Sequence, residues 1–191
     1  MRAVRGSEIA LVFQEPMTSF SPVHSVGNKI IEMIMLQKDM NKKEAKELAM
    51  ELFDMVGIPN ASTRVNNYAH EFSGGLRQRA MIAMAISCEP KLLIADEPTT
   101  ALDVTTQAQI LVLLQELQHK HQIAMILITH NLGVVAEVCD DVSVMYLGRG
   151  AEKGPVDSIF HDSKHPYTKG LLESIPSINS AQGERLKSIV G

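Results

Sequence analysis

Four short clusters in the 191-residue chain carry side chains able to do chemistry: Gln14, Ser73-Gly74-Gly75, Asp96-Glu97 and Thr129-His130. The carboxylate pair is the most demanding of them. Adjacent carboxylates at the tip of a buried apolar strand cost free energy unless a cation or a proton offsets them. Asp96 there can support Mg²⁺, directly or through its waters, while the metal bridges phosphate oxygens. Glu97 can orient and deprotonate an attacking water. In Ser73-Gly74-Gly75 the glycines let backbone approach a ligand closely, and the free amides of a helix start favour an anion. An ordinary helix cap is the plainer reading of the same tripeptide. Gln14 and His130, taken singly, read equally as a turn residue and a hydrogen-bonded structural residue. Arg77 and Arg79 read as a solvated helix face rather than a nucleic-acid contact.

The elements that must position these groups follow from patterning. Ile9 to Phe13 is a short apolar run and predicts a buried strand, with a loop after Gln14-Glu15-Pro16. Asn41 with Glu44 three residues on resembles a capping box, and Ala45, Leu48, Ala49, Leu52, Phe53 and Val56 form one helical stripe stopped by Gly57 and Pro59. A second helix starts at Ser73-Gly74-Gly75 and runs to about Cys88, where Pro90 bars continuation. Leu92 to Ala95 and Ile123 to Ile128 predict buried strands, separated by a helix capped by Asp103 and carrying Ile110, Leu111, Leu113, Leu114 and Leu117. Continuous apolar strands alternating with helices predict an α/β fold whose parallel sheet is covered on both faces. Gln14, Asp96-Glu97 and Thr129-His130 then fall at strand carboxyl ends, the ligand edge of such sheets. Val142 to Leu147 predicts a strand at the sheet edge, turning through Gly148-Arg149-Gly150 into a hairpin. Short helices and turns follow, with Lys164-His165-Pro166-Tyr167 as a boundary.

Taken together and in order, Phe72 to Arg79, Leu92 to Thr99, Ala101-Leu102-Asp103 and Thr129-His130 resemble the ATPase subunits of ABC transporters. They are similar to that family's signature motif, Walker B strand, D-loop and switch histidine. Val12-Phe13-Gln14 resembles its Q-loop. Phe13 to Ser19 with Ser21-Pro22, and His165-Pro166-Tyr167-Thr168 with Leu171-Leu172, resemble the oligopeptide/dipeptide importer group, which includes nickel importers. Leu76 stands where the general signature has Gln and reads as a mark of that group. The resemblance implies a P-loop NTPase-like sheet with a helical subdomain. It implies ATP and Mg²⁺ as cofactors, Asp96 and Gln14 at the metal, Glu97 as general base and His130 at the γ-phosphate. Ser73, Gly74, Gly75 and Asp103 would face ATP held by the opposite subunit. Implied partners are transmembrane permease subunits, a second ABC ATPase subunit and, indirectly, an extracytoplasmic solute-binding protein, at the cytoplasmic face of the cell membrane. The membrane subunit would dock on Glu15 to Pro22 and the helical region. The implied division is residues 1–23 (strand and Q-loop), 24–89 (helical subdomain with the signature), 90–150 (Walker B to H-loop core) and 151–191 (importer-type extension).

No Gly-x-x-x-x-Gly-Lys-Ser/Thr loop occurs in the 191 residues, so the cradle for the β- and γ-phosphates is missing from them. The favoured expectation is an N-terminally incomplete ATPase domain, inactive alone. The alternatives are a partial or regulatory subunit that donates its signature motif to a partner ATPase, and a non-transport ABC ATPase. The 59 residues from Gln14 to Ser73 leave no room for the coiled coil of the DNA-repair type. Tyr68 is given no nucleotide role. With 18 basic and 22 acidic residues the net charge is −4, which argues against a nucleic-acid partner. The spacings of His119/His121 and His161/His165 do not make a zinc site. Met33, Met35 and Met40 read as helix packing, with a membrane-partner contact as the sharper reading.

Overall fold

The computed structural model describes residue 4, residues 6–15 and residues 19–174. The chain divides into two compact units, Met1–Ile128 and Thr129–Gly191.

The first unit is built on three parallel strands in the order β1 (Ile9–Val12), β2 (Leu92–Asp96) and β3 (Ala124–Ile128). Val12 pairs with Ala95, and Asp96 with Ile128. Between β1 and β2 the chain is helical: α1 (Val26–Gln37), α2 (Lys42–Met55), a short α3 (Ala61–Arg64), a 3₁₀ turn (Ala69–Glu71) and α4 (Gly74–Ile86). Helix α5 (Val104–His121) joins β2 to β3.

Local chemistry accounts for the helix starts. Asn41 Oδ1 accepts from the N–H groups of Lys43 and Glu44, while Glu44 Oε2 accepts from Asn41 N–H, a reciprocal cap that was legible in the sequence. Val56 ends the helix and Gly57 turns at φ +73°. The stripe residues Ala45, Ala49, Leu52 and Phe53 are buried against α1 and α4. Helix α4 carries Ala80, Met81, Ile82 and Ala83 fully buried and packs on β1, which seats the helical region on the sheet. Gly27 is required by close approach: a Cβ there would lie 2.1 Å from the Val65 carbonyl oxygen. Of the three methionines, Met40 packs partly buried against the core, whereas Met35 is 44% exposed.

Strand alternation divides the sheet into two faces. Ala10, Val12, Leu93 and Ala95 are buried on one. On the other, Ile9, Leu11, Ile126 and Ile128 remain 38–48% exposed, although they are as apolar as the buried set. Both faces are composed for burial, as the sequence leads one to expect, and the described helices of this unit cover one of them.

The second unit holds α6 (Leu132–Val138), β4 (Asp141–Tyr146), β5 (Arg149–Pro155), α7 (Val156–Asp162) and α8 (Pro166–Glu173). The expected edge strand is corrected here: β4 pairs antiparallel with β5 in a separate two-stranded sheet and is not bonded to the parallel one. Leu147 and Gly148 both have positive φ, the geometry of a tight hairpin turn whose twist matches its strands. His165 caps α8, its Nδ1 accepting from Tyr167 N–H, with Pro166 at the first helical position. Glu152 of β5 accepts the N–H groups of Lys164 and His165, which ties the hairpin to that cap. The Lys164 N–H foremost, then the Thr168 hydroxyl and the His165 N–H, hold the Glu152 carboxyl below its ordinary value.

Candidate phosphate-facing edge and signature turn

Parallel pairing puts the ends of β1, β2 and β3 side by side, and with them Gln14 and the Asp96-Glu97 pair. Gln14 lies two residues beyond β1 and is exposed; Pro16, Met17 and Thr18 lie outside the described residues. Asp96 is the last residue of β2 and half-buried. Glu97 leaves the strand in the left-handed region at φ +47°, its N–H donating to the Ile128 carbonyl at 2.9 Å. That conformation is uncommon for a residue with a Cβ and persists only where surroundings impose it. The bond to β3 is one such constraint. A second is Thr100, whose hydroxyl donates to Glu97 Oε2 at 2.7 Å and whose N–H reaches the Glu97 carbonyl. Ala101, at φ +65°, continues the sharp course of the loop.

The signature residues form a second group. Ser73 caps α4, its hydroxyl accepting from Leu76 N–H at 3.4 Å. The plain cap reading therefore holds, and it leaves the Gly74 and Gly75 amides among the first-turn donors that a helix cannot satisfy internally. Beside them stands the start of α5. Asp103 is its cap, with Oδ1 accepting from Thr106 N–H at 2.9 Å and Oδ2 from the Thr106 hydroxyl at 2.7 Å. These bonds, the backbone one foremost, hold the Asp103 carboxyl below its ordinary value and keep it charged. A Cβ on Gly74 would meet Leu102 Cδ2 at 3.5 Å, and one on Gly75 would meet Thr106 Cγ2 at 2.6 Å. The signature turn and Asp103 are thus brought together through Leu102 and Thr106.

His130 is the second residue of the second unit. It is exposed and precedes Asn131, the cap of α6, whose side chain accepts from the N–H groups of Gly133 and Val134. Sequence reasoning missed Thr100 and Thr106. A Thr three residues after an Asp cap was the available signal for Thr106; nothing in the sequence marks Thr100 as the partner of Glu97.

The described residues fit half of a magnesium–nucleotide site. A strand-end carboxylate suits a hard cation, and a 13-residue helix with two glycines at its start presents amides to an anion. The loop that would wrap the phosphates is not in these residues. Among the described residues no three His, Cys, Asp or Glu side chains converge as an all-protein metal site.

Residues 1–100 match the family described as ABC transporter, and residues 151–191 match the oligopeptide/dipeptide transporter C-terminal region. The oligopeptide transport ATP-binding protein OppD of Bacillus subtilis is 55% identical over 191 residues, covering 100% of this chain and 53% of the relative. The dipeptide transport ATP-binding protein DppD of the same organism is 51% identical, covering 100% of this chain and 57% of its own length. The glutathione import ATP-binding protein GsiA of Shigella flexneri is 52% identical over 96% of this chain and 29% of its own. The chain therefore spans little more than half of the first two relatives and under a third of the last. Among solved structures, cbiO1 from Clostridium perfringens, part of the ABC transporter complex cbiONQ, superposes with TM-score 0.70 at 30% identity. The alignment covers 82% of this chain and 60% of that one. A dimeric ATP-binding cassette in a post-hydrolysis state, bound to ADP and Pi, gives TM-score 0.71 at 24% identity over 81% of this chain and 66% of its own, a likeness of fold. This chain therefore belongs to the ABC transporter family, and its residues 151–191 resemble the C-terminal region of oligopeptide/dipeptide transporters.

Proposed function

We propose that the chain is part of the ATP-binding, ATP-hydrolysing subunit that energises import of peptides, or of a related solute such as nickel, through an ABC transporter. The observation that carries this reading is Glu97, held in a left-handed turn at the carboxyl end of β2 beside Asp96. In that arrangement Asp96 would support Mg²⁺, with Gln14 at the metal's water. Mg²⁺ bound with the nucleotide would neutralise charge developing on the phosphates. Glu97 would orient the water and take its proton, and His130 would contact the γ-phosphate. Ser73, Gly74 and Gly75 would close over a nucleotide bound by a second ABC subunit, and Asp103 would link the two sites. Transmembrane permease subunits would dock on residues 15–22 and the helical region 24–89, with a solute-binding protein engaged through them. Residues 90–150 would form the catalytic core and 151–191 the importer-type extension. Among the described residues no helix is long and apolar enough to cross a membrane. Attachment to the cytoplasmic face would therefore come through the permeases. Relatives named for oligopeptide, dipeptide and glutathione transport support a peptide-like solute.

A second reading draws on the absence of a Gly-Lys loop from the 191 residues and on the packing of Gly74 and Gly75 against Leu102 and Thr106: the chain would donate that turn to a partner's ATP while binding none itself. Proteoliposomes holding the permeases, an intact second ATPase subunit and this chain separate the two. Peptide uptake that falls to background on Ser73→Arg and also on Glu97→Gln supports the full role. Loss on Ser73→Arg alone supports the donor role, and no loss on either contradicts both.

A further inference from the structure

One side chain, Thr106, touches both halves of the signature–Asp103 group. Its hydroxyl donates to Asp103 Oδ2 at 2.7 Å and its N–H to Oδ1 at 2.9 Å. Its methyl stands over Gly75, where an added Cβ would lie 2.6 Å from Cγ2. That is well inside the roughly 3.5–4.0 Å at which carbon atoms pack. Threonine is branched at Cβ and stiff at χ1, so methyl and hydroxyl turn as one body. The methyl cannot yield to a side chain at position 75 without swinging the hydroxyl off Asp103. Alanine otherwise suits a helix better than glycine. Its exclusion at Gly75 therefore comes from Thr106 and not from the helix.

We propose that Thr106 is a positioning residue that locks the signature turn to the Asp103 carboxylate within one chain, so that the two form a single preset surface. That this surface meets a partner's nucleotide rests on the function proposed above; the lock itself does not. Each half of the side chain has its own task. The hydroxyl and N–H keep Asp103 turned back on its own helix, and the methyl gauges the distance to Gly75. A change in either motif is then felt in the other.

The test is a double-mutant cycle read by NMR on the 191-residue chain without nucleotide, following the Asp103 carboxyl carbon and the Thr106 amide. Gly75→Ala is expected to displace both resonances in the wild-type background. In the Thr106→Ser background, where the hydroxyl stays and the methyl is gone, it is expected to displace neither. Thr106→Val, which keeps the methyl and loses the hydroxyl, is expected to displace the Asp103 signal as Gly75→Ala does. Equal displacement by Gly75→Ala in both backgrounds, or in neither, overturns the lock. If Gly75→Ala does not fold, amide exchange at Thr106 decides: faster in Thr106→Val and unchanged in Thr106→Ser supports the lock, and no difference overturns it. If the cycle couples while Ser73→Arg leaves uptake by the complex intact, the lock stands and the reading of what it faces fails.

Discussion

One hydroxyl and one carboxylate set the helix starts at the candidate site, Ser73 for α4 and Asp103 for α5. Ser73 caps α4 with one bond to Leu76 N–H, and its neighbours Gly74 and Gly75 contribute no side chain to replace it. Ser73→Ala is expected to lower stability by about 0.5–1 kcal/mol, measured by urea unfolding, because the bond is long for a cap. Asp103 adds a titration. Its folded carboxyl sits below its ordinary value. The capping bonds therefore contribute stability that is fully present above about pH 4 and is lost as pH falls through the lowered value. Asp103→Ala should melt below the wild type at pH 7, and the gap should close towards pH 2. A gap constant across that range would mean the carboxylate charge has no part in the cap. The proposed site residues were picked out of the sequence because motif chemistry is local in the chain. Their partners were not, since Thr100 and Thr106 act through rotamers and loop courses that spacing alone does not specify.

The helices show how far patterning reaches. The stripe from Ala45 to Val56 and the Asn41–Glu44 box place α2 almost to the residue, since cap and period agree. Helix α4 ends at Ile86 rather than near Cys88, and Phe13 falls outside β1. Sheet membership was less legible, because Val142 to Leu147 carries the signal of a strand but not the identity of its partner. The close approach of α1 to α3 was also hidden. Gly27→Ala drives a Cβ into the Val65 carbonyl, a rigid backbone atom, and is expected to cost about 3 kcal/mol in urea unfolding. In the second unit Glu152 holds the start of α8 through the N–H groups of Lys164 and His165. Glu152→Gln should speed tryptic cleavage after Lys164 several-fold. An unchanged cleavage rate would show that the cap stands without the carboxylate.

At the scale of the molecule, the parallel sheet presents Ile9, Leu11, Ile126 and Ile128 to solvent on one face, and β3 has an unpaired edge among the described residues. Exposed apolar strands at an open edge template self-association. The chain alone should bind an apolar dye and associate on concentration, and Ile126→Lys should reduce both while leaving the helical signal unchanged. The α/β class and the parallel sheet were legible because strands alternating with helices favour parallel pairing. The exposed face was not, since an apolar strand reads the same covered or uncovered. These features meet in one proposal: Ser73-Gly74-Gly75 and the Asp96-Glu97 pair serve a nucleotide whose phosphate cradle would come from no Gly-x-x-x-x-Gly-Lys-Ser/Thr segment of the 191 residues. ATP turnover by the purified chain, alone and after addition of an intact ABC ATPase subunit with the permeases, tests it most directly. The account predicts no measurable turnover alone, and turnover in the assembled complex that Ser73→Arg in this chain abolishes. Turnover by the chain alone at the rate of intact homologues would contradict it.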